Sequence, residues 1–162
     1  MGDDLIRQLN HASLDARLKR ISDKMSHSVR AMYKKMALDV EPNWYLVLTI
    51  VNKAPDVSVM EIAHQLRFTH QSVINITNKM VAKGYLKNMK DTHDKRKTVF
   101  QLTEKATQKL PLFTQIWDCG TAAIFESLNG DVSIIQHLNT LETNLEELSF
   151  GDRILEKLEA AT

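Results

Sequence analysis

Apolar residues recur at helical spacing toward both ends of the chain. Near the N-terminus they lie three or four positions apart, which places them on one stripe of a helix. These positions are Leu14, Leu18, Ile21, Met25, Val29, Met32 and Met36. The same spacing near the C-terminus predicts a helix whose seam packs against another helix. Its positions are Ile134, Leu138, Leu141, Leu145 and Leu148.

The middle of the chain predicts two short helices joined by a tight turn. Ser58 can cap the first helix, and Glu61 stands at the spacing of a reciprocal capping box. Thr69 can cap the second helix, which extends to Lys83. Gly84 should stop it, because glycine adopts a positive φ at little cost. Together these elements form a candidate helix-turn-helix.

Two strand-like runs follow the second short helix directly. Residues 85–90 and 97–102 are rich in aromatic and β-branched side chains, and a polar tip separates them. A hairpin at this position is a wing. The sequence therefore predicts a mainly α fold with a small β wing, in the order of a winged helix-turn-helix domain.

Prolines and a cysteine mark the helices on either side of this motif. Pro42 is expected in the first turn of a helix that carries Trp44, where its missing N–H does no harm. Thr103 can cap a long helix after the wing, and Pro111 should bend or interrupt that helix. Cys119 on the same helix is expected to be a small buried residue. The turn at 129–131 then precedes the last predicted helix.

The composition predicts a globular protein and a cellular compartment. The chain has 162 residues, of which 43% are hydrophobic and 25% charged, as in ordinary globular proteins of one domain. No run approaches the ~18 apolar residues that span a bilayer, and the first residues lack a signal-peptide pattern. We therefore expect a cytoplasmic protein without membrane association. A single cysteine cannot form an internal disulfide.

The net charge of +1 conceals an uneven distribution along the chain. Residues 58–105 carry nine Lys and Arg against four Asp and Glu, whereas residues 106–162 carry three against nine. Such an asymmetry is expected when one segment meets a polyanion and another does not. The alternative is an incidental division of surface charge.

Polar residues on the outer face of the second short helix are the first candidates for DNA contact. A helix in the major groove contacts base edges with side chains near its N-terminus. Asn and Gln match adenine, whereas Lys suits phosphates. The alternative is a polar face that only contacts solvent. It is less favoured, because a capped helix and a turn precede this helix, as in a helix-turn-helix. The candidates are His70, Gln71, Ser72, Asn75 and Lys79.

The tip of the predicted wing concentrates cations. Arg96, between Lys95 and Lys97, suits insertion into a narrow minor groove, where the negative potential attracts arginine. Asp94 can accept hydrogen bonds from the guanidinium or from turn amides and so brace the tip. The alternative for Asp94 is an ordinary turn residue in a lysine-rich hairpin.

Nothing in the sequence predicts catalysis, a cofactor or a metal site. The six histidines lack the spacing of metal ligands on one helix face. His93 beside Asp94 is no catalytic pair, and no GxSxG motif occurs. We expect no enzyme.

The order of elements and the wing motif resemble those of the MarR family of bacterial winged-helix regulators. The resemblance rests on Asp94 and Arg96 followed by Leu102 and Thr103, on VMEIAHQL and QSVINITNKMVAKGYL as the two motif helices, and on NWYLVLTIV before them. It covers roughly residues 40–106. Asn78, Asn88 and Ala106 depart from the family pattern. These departures affect which residues brace the wing.

The resemblance implies a homodimer that binds a palindromic site on double-stranded DNA. It assigns residues 1–38 and 106–162 to dimerisation helices that flank a winged helix-turn-helix lobe at residues 40–105. It also implies a repressor that a small-molecule effector releases, with the effector near Trp44 and Trp117. The alternative is a winged-helix module that binds protein without sequence-specific DNA binding.

Overall fold

The computed structural model describes residues 3–91, 94–95 and 97–161 of the chain. It is mainly helical with a small antiparallel sheet, which confirms the predicted fold class. In chain order the elements are α1 (Leu5–Gln8), a short 3-10 helix (Asn10–Ser13), α2 (Leu14–Lys35), α3 (Trp44–Lys53), β1 (Val57–Ser58), α4 (Val59–Leu66), α5 (His70–Ala82), β2 (Leu86–Lys90), β3 (Thr98–Leu102), α6 (Glu104–Ser127), α7 (Ile134–Glu147) and α8 (Phe150–Glu159).

The helix-turn-helix forms as its capping residues predict. The Ser58 hydroxyl accepts from the Glu61 backbone N–H at 3.3 Å, and the Glu61 carboxylate accepts from the Ser58 N–H at 2.7 Å. Arg67 ends α4 in the left-handed conformation, with φ of 52°. Thr69 caps α5 by accepting from the Ser72 N–H at 3.2 Å. Local hydrogen bonds therefore set both boundaries of the turn.

Gly84 terminates α5 through its backbone conformation. Its φ is +71°, and a Cβ added there would meet nothing within 4 Å. Glycine is therefore favoured by the positive φ and not by lack of space. The N–H groups of Gly84 and Tyr85 donate to the carbonyls of Val81 and Met80, both at 2.9 Å, and so satisfy two carbonyls in the last turn of α5.

The predicted hairpin is confirmed, and a third short strand joins it. β2 and β3 are antiparallel, with Leu86 opposite Leu102 and Asn88 opposite Phe100. β1 pairs with β3 on its other edge, where Val57 lies opposite Phe100. The sequence analysis missed β1 because two residues carry no recognisable alternation.

The chain divides into two compact units, residues 1–113 and 114–162. The first contains the helix-turn-helix, the sheet and a core to which helices, sheet and the start of α6 all contribute. Its fully buried side chains include Val47, Leu48, Ile62, Val73, Met80, Tyr85, Leu86 and Phe113. This core fixes which face of α5 points outward.

The second unit contains the remainder of α6 with α7 and α8. None of residues 114–161 is buried. Many of its large apolar side chains are exposed, among them Ile124, Phe125, Ile134, Ile135, Leu145, Phe150, Ile154, Leu155 and Leu158. Amphipathic helices with an exposed apolar face and no core require a further surface to cover them.

Three expectations about the flanking helices were wrong. Pro42 precedes α3, because the Trp44 N–H donates to the Glu41 carbonyl at 3.1 Å and closes a turn there. α6 continues through Pro111 without interruption, and the other alternative, a bend at Pro111, stays a prediction. Cys119 is exposed because its unit has no buried positions. The helix after the turn at 129–131 is not the last, because α8 follows it.

Within the described residues, no helix combines the length and the apolar character needed to cross a bilayer.

Candidate nucleic-acid interface

The outer face of α5 presents the polar residues that the sequence singled out. Val73, Thr77 and Met80 are buried on the opposite face and fix the rotation of the helix about its axis. All five predicted contact residues are exposed. They are His70, Gln71, Ser72, Asn75 and Lys79. The fold thus brings them together along one helix, open to an incoming ligand.

Two of these side chains are ordered by contacts within the helix. The Gln71 amide donates to the Asn75 side-chain oxygen at 3.2 Å, one turn away. This leaves the Gln71 oxygen and the Asn75 amide group able to bond an external partner. The Ser72 hydroxyl lies 2.8 Å from the Thr69 hydroxyl, at the helix start. Ser72 is therefore partly engaged in the cap, while the Gln71–Asn75 pair keeps polar groups that can bond an external partner.

The wing tip is shaped by an aspartate that the sequence analysis did not select. The Asp91 carboxylate accepts from the Asp94 N–H at 2.8 Å, and the Asp94 carbonyl accepts from the Lys97 N–H at 2.8 Å. Lys95 and Lys97 are exposed and Asp94 is half-buried. Arg96 lies outside the described residues, as does His93. Asp91 could have been selected from the sequence, because an aspartate at the start of a turn commonly accepts a hydrogen bond from a backbone N–H a few residues later.

The tip end of the wing hairpin lies close to the start of α4. Hydrogen bonds from Ser58 lower the pKa of the Glu61 carboxyl, and the charge of Lys97 lowers it further. The capping box of α4 is thereby linked electrostatically to the return strand of the hairpin. Three more exposed lysines extend the basic surface from the end of α5 along β2. They are Lys83, Lys87 and Lys90.

A cavity of about 260 Å³ opens beside α5 in the first unit. On one wall the Arg30 guanidinium donates to the Glu41 carboxylate at 3.1 Å. Of the two residues predicted near an effector, Trp44 lines the cavity and Trp117 does not. The full lining is Ser26 and Arg30 of α2, Glu41, Pro42, Asn43 and Trp44, and Asn75, Ile76 and Lys79 of α5. Two predicted DNA-contact residues therefore also border the cavity.

No cluster of three or more His, Cys, Asp or Glu side chains that could hold a metal ion occurs among the described residues.

Comparison with known proteins identifies the lobe that carries this surface. Residues 38–97 match the sequence model of the MarR family, which spans α3 to the wing. That segment is similar to the MarR family, and the chain has a winged-helix fold. A search of curated proteins found no significant match.

Solved structures share the fold at low sequence identity. A MarR protein from Peptoclostridium difficile DA00132 superposes with a TM-score of 0.72 at 17% identity, over 93% of this chain and 98% of that one. A MarR/EmrR family transcriptional regulator from Acinetobacter sp. ADP1 gives 0.69 at 16% identity, over 83% and 96%. The S. aureus MepR–DNA complex gives 0.68 at 17% identity, over 85% and 98%. The MarR-family fold thus extends beyond the matched segment.

A polar cluster joins the C-terminal end of α5 to α6 and was not predicted. The buried Tyr85 donates its hydroxyl to the Asp39 carboxylate, and Lys105 donates to the other oxygen of Asp39 at 2.9 Å. Lys109 donates to the Tyr85 hydroxyl at 3.3 Å. Burial would raise the pKa of Asp39, but the bonds from Tyr85 and Lys105 outweigh it and lower that pKa to about 2. Burial and the neighbouring carboxylate raise the pKa of Tyr85.

Proposed function

We propose that this protein is a dimeric, sequence-specific DNA-binding transcriptional regulator. More specifically, we propose a repressor that a small-molecule effector releases from a palindromic site. The observation that carries the proposal is the exposed polar face of α5 beside a lysine-rich wing in one folded lobe. The solved structures of S. aureus MepR and S. pneumoniae FabT with this fold contain DNA, which supports it.

We propose that the two elements contact different parts of DNA. With its apolar face buried, α5 can enter a major groove and offer the Gln71–Asn75 amide pair to base edges. The wing cations Lys95, Arg96 and Lys97 then approach the flanking minor groove and its phosphates. Asp94 as a brace for Arg96 remains part of this proposal.

Dimerisation is proposed from the apolar surface that a single chain leaves open. The second unit has no buried residue, and α2 exposes Leu14, Ile21 and Met25 on its apolar stripe. A second copy that covers these faces would bury them and would supply a second α5. Two α5 helices related by a twofold axis match a palindromic site.

An effector site is proposed in the cavity beside α5. Asn75 and Lys79 border both this cavity and the outer face of α5. A small molecule that engages these side chains removes them from the DNA, so that ligand and DNA bind in competition. Trp44 closes the cavity on the core side, where it is 3% exposed. A role for Trp117 in the second unit stays a prediction.

A gel shift on the DNA upstream of the protein's own coding sequence tests DNA binding. We expect a shifted complex at low salt that weakens as salt increases, because phosphate contacts release counterions. Arg96→Ala should weaken binding to every duplex. Asn75→Ala should cost about 1–3 kcal/mol of discrimination at one base pair and relax the preference there.

The matched control for Asn75→Ala is Asn52→Ala, which removes another exposed amide, on α3. It should leave both affinity and base preference unchanged. No shift at low salt, or a shift that neither salt nor competitor DNA alters, would favour the protein-interaction module instead. If Arg96→Ala and Asn75→Ala both bind as the wild type does, the assignment of contacts is wrong.

The effector site is tested by filling the cavity. A ligand is first selected from a small-molecule library by thermal shift and by release of the protein from DNA. Ser26→Phe should then lower the affinity for that ligand about tenfold or more, because the phenylalanine ring occupies the cavity. A tenfold change corresponds to ~1.4 kcal/mol of binding free energy. Ser28→Phe, on the same helix but exposed and outside the cavity lining, is the control. Equal loss in both variants would contradict the site.

A further inference from the structure

We infer that Asp39, Tyr85 and Lys105 are positioning residues for DNA recognition. They hold the C-terminal end of α5 against the start of α6 and so set the orientation of the helix that meets DNA. The inference rests on the proposed DNA-binding function. It assigns a role to side chains that lie outside both the exposed face of α5 and the wing.

Lys105 makes the central contacts of this arrangement. Its ammonium donates to the Asp39 carboxylate at 2.9 Å and to the backbone carbonyl of Lys83, the C-cap residue of α5, at 2.8 Å. It also lies 4.2 Å from the centroid of the Tyr85 ring. A cation at a helix C-terminus satisfies a carbonyl without an intrahelical partner and interacts favourably with the helix dipole. Lys105 therefore binds the end of α5 directly.

Tyr85 anchors the cluster in the core. Its ring is fully buried and lies edge-on to Trp44, with centroids 5.6 Å apart, and 6.0 Å from the Phe113 ring. Its hydroxyl donates to Asp39, which precedes α3. Asp39 therefore has one partner fixed by core packing and two on α6, since Lys109 also lies 3.7 Å from its carboxylate. A carboxylate held in this way gives Lys105 a defined position, unlike an isolated surface ion pair.

The backbone around this cluster is held independently of Lys105. The Thr103 hydroxyl donates to the Gly84 carbonyl at 2.6 Å, and the Thr103 N–H donates to the Tyr85 carbonyl at 3.1 Å. The same hydroxyl caps α6 by accepting from the Ala106 N–H at 3.2 Å. These bonds keep α5, β2 and α6 connected when Lys105 is replaced. The role of the cluster of Asp39, Tyr85 and Lys105 is then to restrict the angle of α5 relative to the start of α6.

The angle of α5 matters more for specific than for non-specific binding. At ~1.5 Å rise per residue, Lys83 lies about 12 Å along the helix from Asn75. A tilt of a few degrees at that distance moves the side chains by on the order of 0.5 Å, which is enough to impair bidentate base contacts. Phosphate contacts through flexible lysines tolerate such a shift. The ratio of specific to non-specific affinity is therefore the informative readout.

The test uses the full-length chain and two duplexes of equal length. One is selected from a random library by the wild type, and the other has the same composition in scrambled order. We expect Lys105→Met and Asp39→Asn each to lower affinity for the selected duplex about tenfold, with affinity for the scrambled duplex changed less than about twofold. Tyr85→Phe, which removes only the hydroxyl, should act in the same direction.

Two further variants separate position from charge and stability. Lys105→Arg keeps a donor for both Asp39 and the Lys83 carbonyl and should preserve the affinity ratio. Lys53→Met removes an exposed lysine from the end of α3 and controls for the lost charge. The side chains of Lys105 and Asp39 are 37% and 39% exposed, so we expect both Lys105→Met and Asp39→Asn to fold. Thermal unfolding is followed for each variant.

The outcomes distinguish the inference from the function on which it rests. A wild type that enriches no sequence overturns the proposed sequence-specific binding, and the inference with it. A wild type with a clear preference whose variants keep the same affinity ratio overturns the inference alone. An equal fold-loss of affinity for both duplexes, together with lower thermal stability, would show that the cluster has only a structural role. That result also overturns the inference.

Discussion

Leu155→Asp combined with Leu158→Asp should convert the proposed dimer to a monomer. Both side chains lie on α8 and are 57% and 60% exposed in the single chain. Full burial of a leucine contributes about 1.5–3 kcal/mol, so burying the exposed fractions of the two contributes about 2–3.5 kcal/mol per protomer to association. Carboxylates placed in an apolar interface add a desolvation penalty. The dimer dissociation constant should therefore rise at least about a hundredfold.

Light scattering coupled to size-exclusion chromatography, at several protein concentrations, measures this change directly. The monomer should also lose the affinity for palindromic DNA that comes from two linked α5 helices, while keeping a folded first unit. Lys157→Asp, which places the same side chain at an exposed polar position of α8, is the control and should remain dimeric. A wild type that is monomeric, or a double variant that stays dimeric, would disprove the interface.

Phe113→Ala should produce a large loss of stability in the first unit. The side chain is 1% exposed and its ring lies 6.0 Å from that of Tyr85. Truncation of a buried phenylalanine to alanine costs about 3–5 kcal/mol, because apolar contacts are lost and a cavity remains. At about 2–4 °C per kcal/mol for a chain of this size, Tm should fall by about 6–20 °C.

Urea or thermal unfolding at one fixed protein concentration checks this value, since dimerisation makes Tm concentration dependent. Met60→Ala provides the control, because Met60 is 71% exposed at the start of α4. It should change the free energy of unfolding by no more than about 0.5 kcal/mol. A loss below about 1 kcal/mol for Phe113→Ala would mean that the start of α6 is not an essential part of the core.

The proposed DNA binding and dimerisation place different demands on the two units. The first unit has a core and can hold α5 and the wing in position without help. The second unit has exposed apolar helices and no buried residue between 114 and 161. Loss of dimerisation should therefore reduce affinity through lost bivalency, whereas loss of the core should reduce the folded population. The two predictions above separate these effects.

The sequence by itself determined the features that depend on neighbouring residues. The capping box of Ser58 and Glu61, the cap at Thr69 and the stop at Gly84 each involve positions within a few residues of one another. Helical and strand periodicity are local in the same sense, so α2, α5 and the hairpin were all predictable. The MarR family resemblance followed from the same motifs, which lie within one continuous segment.

Only the tertiary structure decided the contacts between remote segments. Asp39 meets Tyr85 across 46 positions and Lys105 across 66, and no local pattern encodes either pairing. β1 exists because Val57 pairs with Phe100, not because two residues prefer a strand. The exposure of Cys119 likewise depends on the absence of a core in its unit, which local periodicity does not reveal. Packing in three dimensions determines which polar groups meet, and hydrophobic spacing along the chain does not.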